Sequence, residues 1–127
     1  NDEWQPIHAF IENNYTQAIA GMKLYDALLV NTLIEGMNLV AKEGPVVNTK
    51  DGVLILSESS GVHNQLSGPA LSVSPTDIEG TMKALYQAIT MSPEERSDRA
   101  SQLVSAIGRE DISHWISQQF QDVAEFI

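Results

Sequence analysis

The run Val53-Leu54-Ile55-Leu56, aliphatic throughout and placed directly after Asp51-Gly52, constrains this chain more than any other feature. Successive side chains of a strand point to opposite faces, so an unbroken aliphatic run puts apolar groups on both. Both faces must then be covered, as they are for a strand in a parallel sheet flanked by helices. Ala27 to Asn31 reads as a companion strand, and Ala70-Leu71-Ser72-Val73 as a shorter one. Ile7-His8-Ala9-Phe10-Ile11 is mostly apolar and is closed by the turn-forming pair Asn13-Asn14, so a strand is expected there too.

Helical signals fill the gaps. From Thr16 to Leu24, the apolar Ile19, Met22 and Leu24 with the small Ala18 and Ala20 suit a few helical turns. Thr76 with Glu79 has the spacing of a capping box, and Ile78, Met82, Leu85 and Ile89 recur on one face, which is expected to dock on the sheet. Ser92-Pro93-Glu94-Glu95 starts a second helix, with Ser92 as cap and Pro93 in the first helical position, and Gly108 is expected to end it. Ile112, Trp115, Ile116, Phe120 and Val123 mark a third helix whose stripe, broken only by Gln119, could dock on another domain. Strands alternating with helices imply right-handed crossovers, with ligands bound outside the carboxyl ends of the strands.

Composition narrows the partners. A length of 127 residues suits about one domain, and neither a repeat nor a linker divides it. Lys and Arg number 7 against 17 Asp and Glu, a net charge of −10, which repels nucleic acid and anionic lipid, so neither is expected as a partner. Without cysteine there is no disulfide, thiolate zinc site or CxxC pair. No apolar run reaches the roughly 20 residues of a membrane span, and Asn1-Asp2-Glu3-Trp4 lacks a basic signal-peptide start, so cytoplasm is the expected compartment. Because the chain begins without Met, it is expected to be a fragment or processed product.

Tyr25 to Glu43 carries the chemistry. An apolar strand runs into the turn Gly36-Met37-Asn38 with Glu35 before it and Glu43 after it. Asn38 can cap a helix beginning near Leu39, whose first-turn amides, Leu39 to Lys42, lack carbonyl partners within the helix and can face an anion such as a diphosphate. Glu43, one turn beyond Leu39 on the same face, could accept from a ribose diol, and Glu35 from sugar hydroxyls. The same pattern also fits an ordinary capped helix with two solvated carboxylates. Pro45 cannot donate to the Ala41 carbonyl, so the helix is expected to be short or kinked. His8, His63 and His114 show no metal spacing, and Ser59-Ser60-Gly61 is either a loop near the ligand or a plain connection.

At these residues the chain resembles the trehalose-6-phosphate synthase family of retaining glycosyltransferases, which carry an acidic-Gly-Met-Asn-Leu-Val-Ala-Lys-Glu element matched here by Glu35 to Glu43. The likeness continues through Gly52 to Glu58, the Gly61 loop, Val73-Ser74-Pro75, Met91-Ser92 with Glu94-Glu95-Arg96, and Asp111 to Trp115. It implies an α/β fold: a Rossmann-like parallel sheet with flanking helices, residues 1–127 forming most of the C-terminal, donor-binding domain of a GT-B enzyme and truncated at the N-terminal side. The implied reaction transfers glucose from a nucleotide-glucose, commonly UDP-glucose, to glucose 6-phosphate with retention and without a metal or other cofactor; an oligomer is left open. Carried over by position, Glu35 binds donor glucose hydroxyls, Gly36, Met37, Asn38, Leu39 and Val40 line the sugar and diphosphate mainly through backbone, and Glu43 holds ribose. Asn13 to Tyr15 would lie near the base.

Two departures stand out. The family usually has Asp where this chain has Glu35, and the Arg and Lys that neutralise donor phosphates in the family precede the matched region. The chain alone is therefore expected to lack transferase activity, with the acceptor bound by an N-terminal domain. Glucosylglycerol-phosphate synthases and pseudo-glycosyltransferases share this region and are alternatives, as is a non-catalytic module binding nucleotide or a protein partner.

Overall fold

A computed structural model describes residues 4–125. In chain order it holds α1 (Tyr15–Met22), β1 (Ala27–Val30), α2 (Leu39–Val47), β2 (Val53–Ser57), α3 (His63–Leu66), β3 (Leu71–Val73), α4 (Ile78–Thr90), α5 (Pro93–Arg109) and α6 (Ile112–Ala124). The strands form one parallel three-stranded sheet in the order β1-β2-β3. Ala27 pairs with Val53, and Ile55 with Leu71.

The aliphatic run behaves as its pattern demands. Every residue of β2 is buried, and the strand splits its side chains between two cores. Leu54 and Leu56 pack with Val30, Ala41, Leu66 and Leu103 on the side of α2, α3 and α5, whereas Val53 and Ile55 pack with Val73, Ala84 and Ala88 on the side of α4. Each such large aliphatic side chain, removed wholly from water, contributes about 1.5–3 kcal/mol before conformational entropy is subtracted. No helix among the described residues is long and apolar enough to cross a membrane.

Four expectations need correction. Residues Ile7 to Ile11 form no strand; their backbone is irregular and Ile7, Phe10 and Ile11 are exposed. Apolar composition alone does not make a strand, since an extended segment requires a neighbour to receive its N–H and C=O groups, and none lies alongside among the described residues. The cap of α4 is Asp77, not Thr76: Asp77 Oδ1 accepts from Gly80 N–H at 2.9 Å, and Glu79, one position too early for a capping box, instead pairs with Lys83 at 2.7 Å. Helix α5 passes through Gly108 to Arg109 and is capped at Glu110.

The fourth correction concerns which face of α4 meets the sheet. Ala84 and Ala88 are buried, while Ile78 and Met82 are 86% and 59% exposed. One residue turns a helix by about 100°, so the buried face lies a step away from the large apolar stripe. Small side chains let the helix approach Val53 and Ile55 closely, and the stripe is left exposed, with Ile78, Met82 and Leu85 beside Asn31 and Pro75.

Candidate functional site

Two loops meet at the carboxyl ends of β1 and β2. The first, residues 31–38, leads into α2, and the second, residues 58–62, leads into α3. Ser57, the last residue of β2, joins them through its buried hydroxyl, which donates to the Thr32 carbonyl at 2.7 Å and accepts from Ser59 N–H at 3.1 Å. Further along, Glu35 and Ser60 form a parallel bridge: Gly61 N–H donates to the Glu35 carbonyl at 2.9 Å, and Glu35 N–H to the Ser59 carbonyl at 3.4 Å. Gly61 makes this approach possible, since a Cβ there would strike the Gly36 carbonyl. Ser59-Ser60-Gly61 is thus directly joined to the acidic turn.

Asn38 caps α2 as its position in the sequence predicts. Its side-chain oxygen accepts from Ala41 N–H at 2.8 Å, and its amide nitrogen donates to Glu35 Oε2 at 2.7 Å. The cap therefore uses the Ala41 amide, and Leu39 and Val40 keep first-turn N–H groups with no protein acceptor among the described residues. Helix α2 is short, nine residues, and encloses the buried Pro45 in its last turn.

A cavity of about 290 Å³ opens beside this turn, lined by Gly36, Met37, Lys42, Gly61, Gln65 and Glu110 among others. Glu35 and Glu43 are half-buried and stand outside that lining, so the structure joins Glu35 to Asn38 but does not bring both carboxylates into one pocket. Leu39 and Val40 are exposed. Lys42 is the functional candidate that the sequence pattern does not single out. Its ammonium has no carboxylate partner among the described residues and lies one residue, about 100° of helix, from Glu43. A cation in the first helical turn after an Asn cap was the available signal.

Met37 and Lys42 also border a larger apolar groove of about 940 Å³ between α2, α5 and α6, where Val104, Ile107, Ile112 and Trp115 line the walls. Every residue of α6 is exposed, so its stripe is left uncovered by the described residues. His63 Nε2 lies 2.8 Å from Ser72 Oγ, holding α3 to β3, whereas His8 and His114 are exposed.

A parallel sheet covered by helices on both faces, with a capped helix N-terminus at its carboxyl edge, belongs to the Rossmann-like class from which GT-B glycosyltransferases are built. The chain matches the model for glycosyltransferase family 20 over residues 1–125 and belongs to that family. It is 37% identical over 126 residues to the trehalose-6-phosphate synthase of Sodalis glossinidius, covering 95% of this chain and 26% of that protein. The E. coli trehalose-6-phosphate structure bound with UDP-2-fluoro glucose superposes with a TM-score of 0.81 at 35% identity, covering 87% of this chain and 25% of that one. An α,α-trehalose-phosphate synthase (UDP-forming) from Burkholderia xenovorans, in complex with glucose-6-phosphate, gives 0.81 at 30% identity over 89% of this chain and 25% of that one. The chain thus spans about a quarter of the length of these relatives.

Proposed function

We propose that this chain is the donor-binding part of a trehalose-6-phosphate synthase, an enzyme that transfers glucose from UDP-glucose to glucose 6-phosphate with retention. The observation that carries the reading is the capped N-terminus of α2, with the Leu39 and Val40 amides open beside Glu35 and Lys42, in a chain of glycosyltransferase family 20. Those amides and the aligned peptide dipoles, worth roughly half a positive charge, would face the donor diphosphate. Glu35 would accept from glucose hydroxyls, and Glu43, one turn along α2, from the ribose diol. Neither role calls for a metal. Glucose 6-phosphate would be bound by a part of the protein outside this sequence, and the enzyme would act in the cytoplasm.

Charge that develops on the departing diphosphate must be met by preorganised donors and cations. Lys42 and two amides are a partial set, so the purified chain is expected to make no trehalose 6-phosphate; product formation by it would refute this. Binding is tested by calorimetry with UDP-glucose, where Glu43→Ala is expected to abolish the heat. An unchanged affinity in that variant would overturn the ribose role. Absence of nucleotide binding even in a longer parent protein would favour an interaction module instead.

A further inference from the structure

Asn38 links the helix cap to the acidic turn. Its side-chain oxygen is committed to Ala41 N–H at 2.8 Å and its amide nitrogen to Glu35 Oε2 at 2.7 Å. Only one orientation of the amide serves both neighbours. Reversed, an NH2 would face an N–H and a carbonyl would face a carboxylate, two repulsive pairs. The residue is 8% exposed, so its side chain offers a ligand almost no surface. The backbone of Glu35 is separately fixed by Ser59 and Gly61, which leaves the Glu35 side chain as the mobile part of the turn. A charge-assisted hydrogen bond from a buried donor restrains that part.

We infer that Asn38 is a positioning residue, which turns Glu35 Oε2 toward the protein and leaves Oε1, without a partner among the described residues, to accept from a ligand hydroxyl. The identity of the ligand rests on the function proposed above; the restraint on Glu35 rests on the geometry alone. Longer than Asp by one methylene, Glu35 would otherwise sample several rotamers on an exposed turn. Folded back onto Asn38, it presents a single oxygen at a fixed place.

Asn38→Ser and Asn38→Asp separate the two duties, because both keep an oxygen able to cap α2 and both remove the amide donor. In both variants the Ala41 amide is expected to stay protected from hydrogen exchange. In Asn38→Ser, UDP-glucose affinity is expected to fall about tenfold while UDP affinity stays unchanged; in Asn38→Asp the added carboxylate beside the α2 amides is expected to lower both. In a Glu35→Ala background, Asn38→Ser should cause no further loss, since Asn38 acts on the ligand only through Glu35. Independently of any ligand, Glu35→Ala should shift the Asn38 side-chain amide resonances of the chain in nitrogen-proton NMR. Unmoved amide resonances in Glu35→Ala would overturn the inference, as would equal losses of UDP and UDP-glucose in Asn38→Ser. If the unmodified chain binds neither nucleotide, the functional reading fails, and the resonance measurement still decides whether Asn38 holds Glu35. It also decides if both Asn38 variants prove unfolded.

Discussion

Gly61→Ala should break the junction on which the site stands, and Gly36→Ala, across the same contact, should not. A Cβ at Gly61 would overlap the Gly36 carbonyl, a backbone atom with no rotamer to escape into, whereas a Cβ at Gly36 meets nothing within 4 Å. Neither glycine adopts positive φ, so the contrast is one of space alone. To admit the methyl group the loops must part, which sacrifices the 2.9 Å bond from Gly61 N–H to Glu35 and the 3.4 Å bond from Glu35 N–H to Ser59. The good bond contributes about 1 kcal/mol net. Backbone displacement adds about 1–2 kcal/mol, at the lower end of overpacking costs. The sum, about 2–3 kcal/mol, corresponds to a fall of about 8–12 °C in Tm for a chain of this size. Gly36→Ala, an exposed change without a contact, should lie within about 0.5 kcal/mol of the parent. Thermal and urea unfolding followed by circular dichroism compare the two directly. Equal stability of the two variants would refute the claim that close approach of these loops requires glycine at residue 61.

Other consequences are as direct. Ala88→Leu should cost about 1–3 kcal/mol by overpacking the seam between α4 and β2, while Met82→Gln on the outward stripe should leave stability unchanged and reduce concentration-dependent association in sedimentation. Gly108→Ala should stabilise α5 by about 0.5–1 kcal/mol in urea unfolding, because the helix continues through it and an added Cβ meets nothing within 4 Å. Burial pushes the Tyr25 hydroxyl up from 10.0 to about 12. The folded value lies above the unfolded one, so its contribution is intact below pH 10 and is lost as pH rises from about 10 to about 12. Tyr25→Phe should flatten that part of the stability profile without cost at neutral pH, as the hydroxyl has no hydrogen-bonding partner among the described residues to lose.

What the sequence discloses is the structure its local chemistry dictates. Val53 to Leu56 has no way to be a strand without two covers, and Asn38 and Ser92 cap α2 and α5 as placed because an Asx or Ser oxygen reaches the first-turn amides whatever surrounds the helix. Relations between elements are less legible. The stripe of α4 has a proper helical period, yet the face that docks is chosen by how closely Ala84 and Ala88 let the backbone approach. Ile7 to Ile11 has strand composition, but pairing depends on a neighbour that composition does not encode. In the site, the Glu35–Asn38 bond is local to one turn, but the Gly61 contact joins two loops separated by about 25 residues of chain, and only the fold brings those together. Lys42 was hidden because an unpaired Lys on a short helix looks like any solvated cation.

Electrostatics sets the limit of what such a platform does alone. The α2 N-terminus supplies roughly half a positive charge and Lys42 a full one, close to Glu35, Glu43 and Glu110 in a chain of net charge −10. Attraction for a diphosphate at the turn thus competes with repulsion from the chain as a whole. The two respond differently to salt, because repulsion from distant carboxylates acts beyond the Debye length of about 8 Å at physiological ionic strength, whereas the amides and Lys42 act at contact. Raising salt from low values toward physiological ones should therefore strengthen nucleotide binding by this chain, the reverse of the usual dependence for an anion. Lys42→Gln should weaken binding at every salt concentration and preserve that inverted slope. A binding constant that falls steadily with added salt would mean that local cations outweigh the acidic surface, and that more positive charge reaches the ligand than Lys42 and α2 provide.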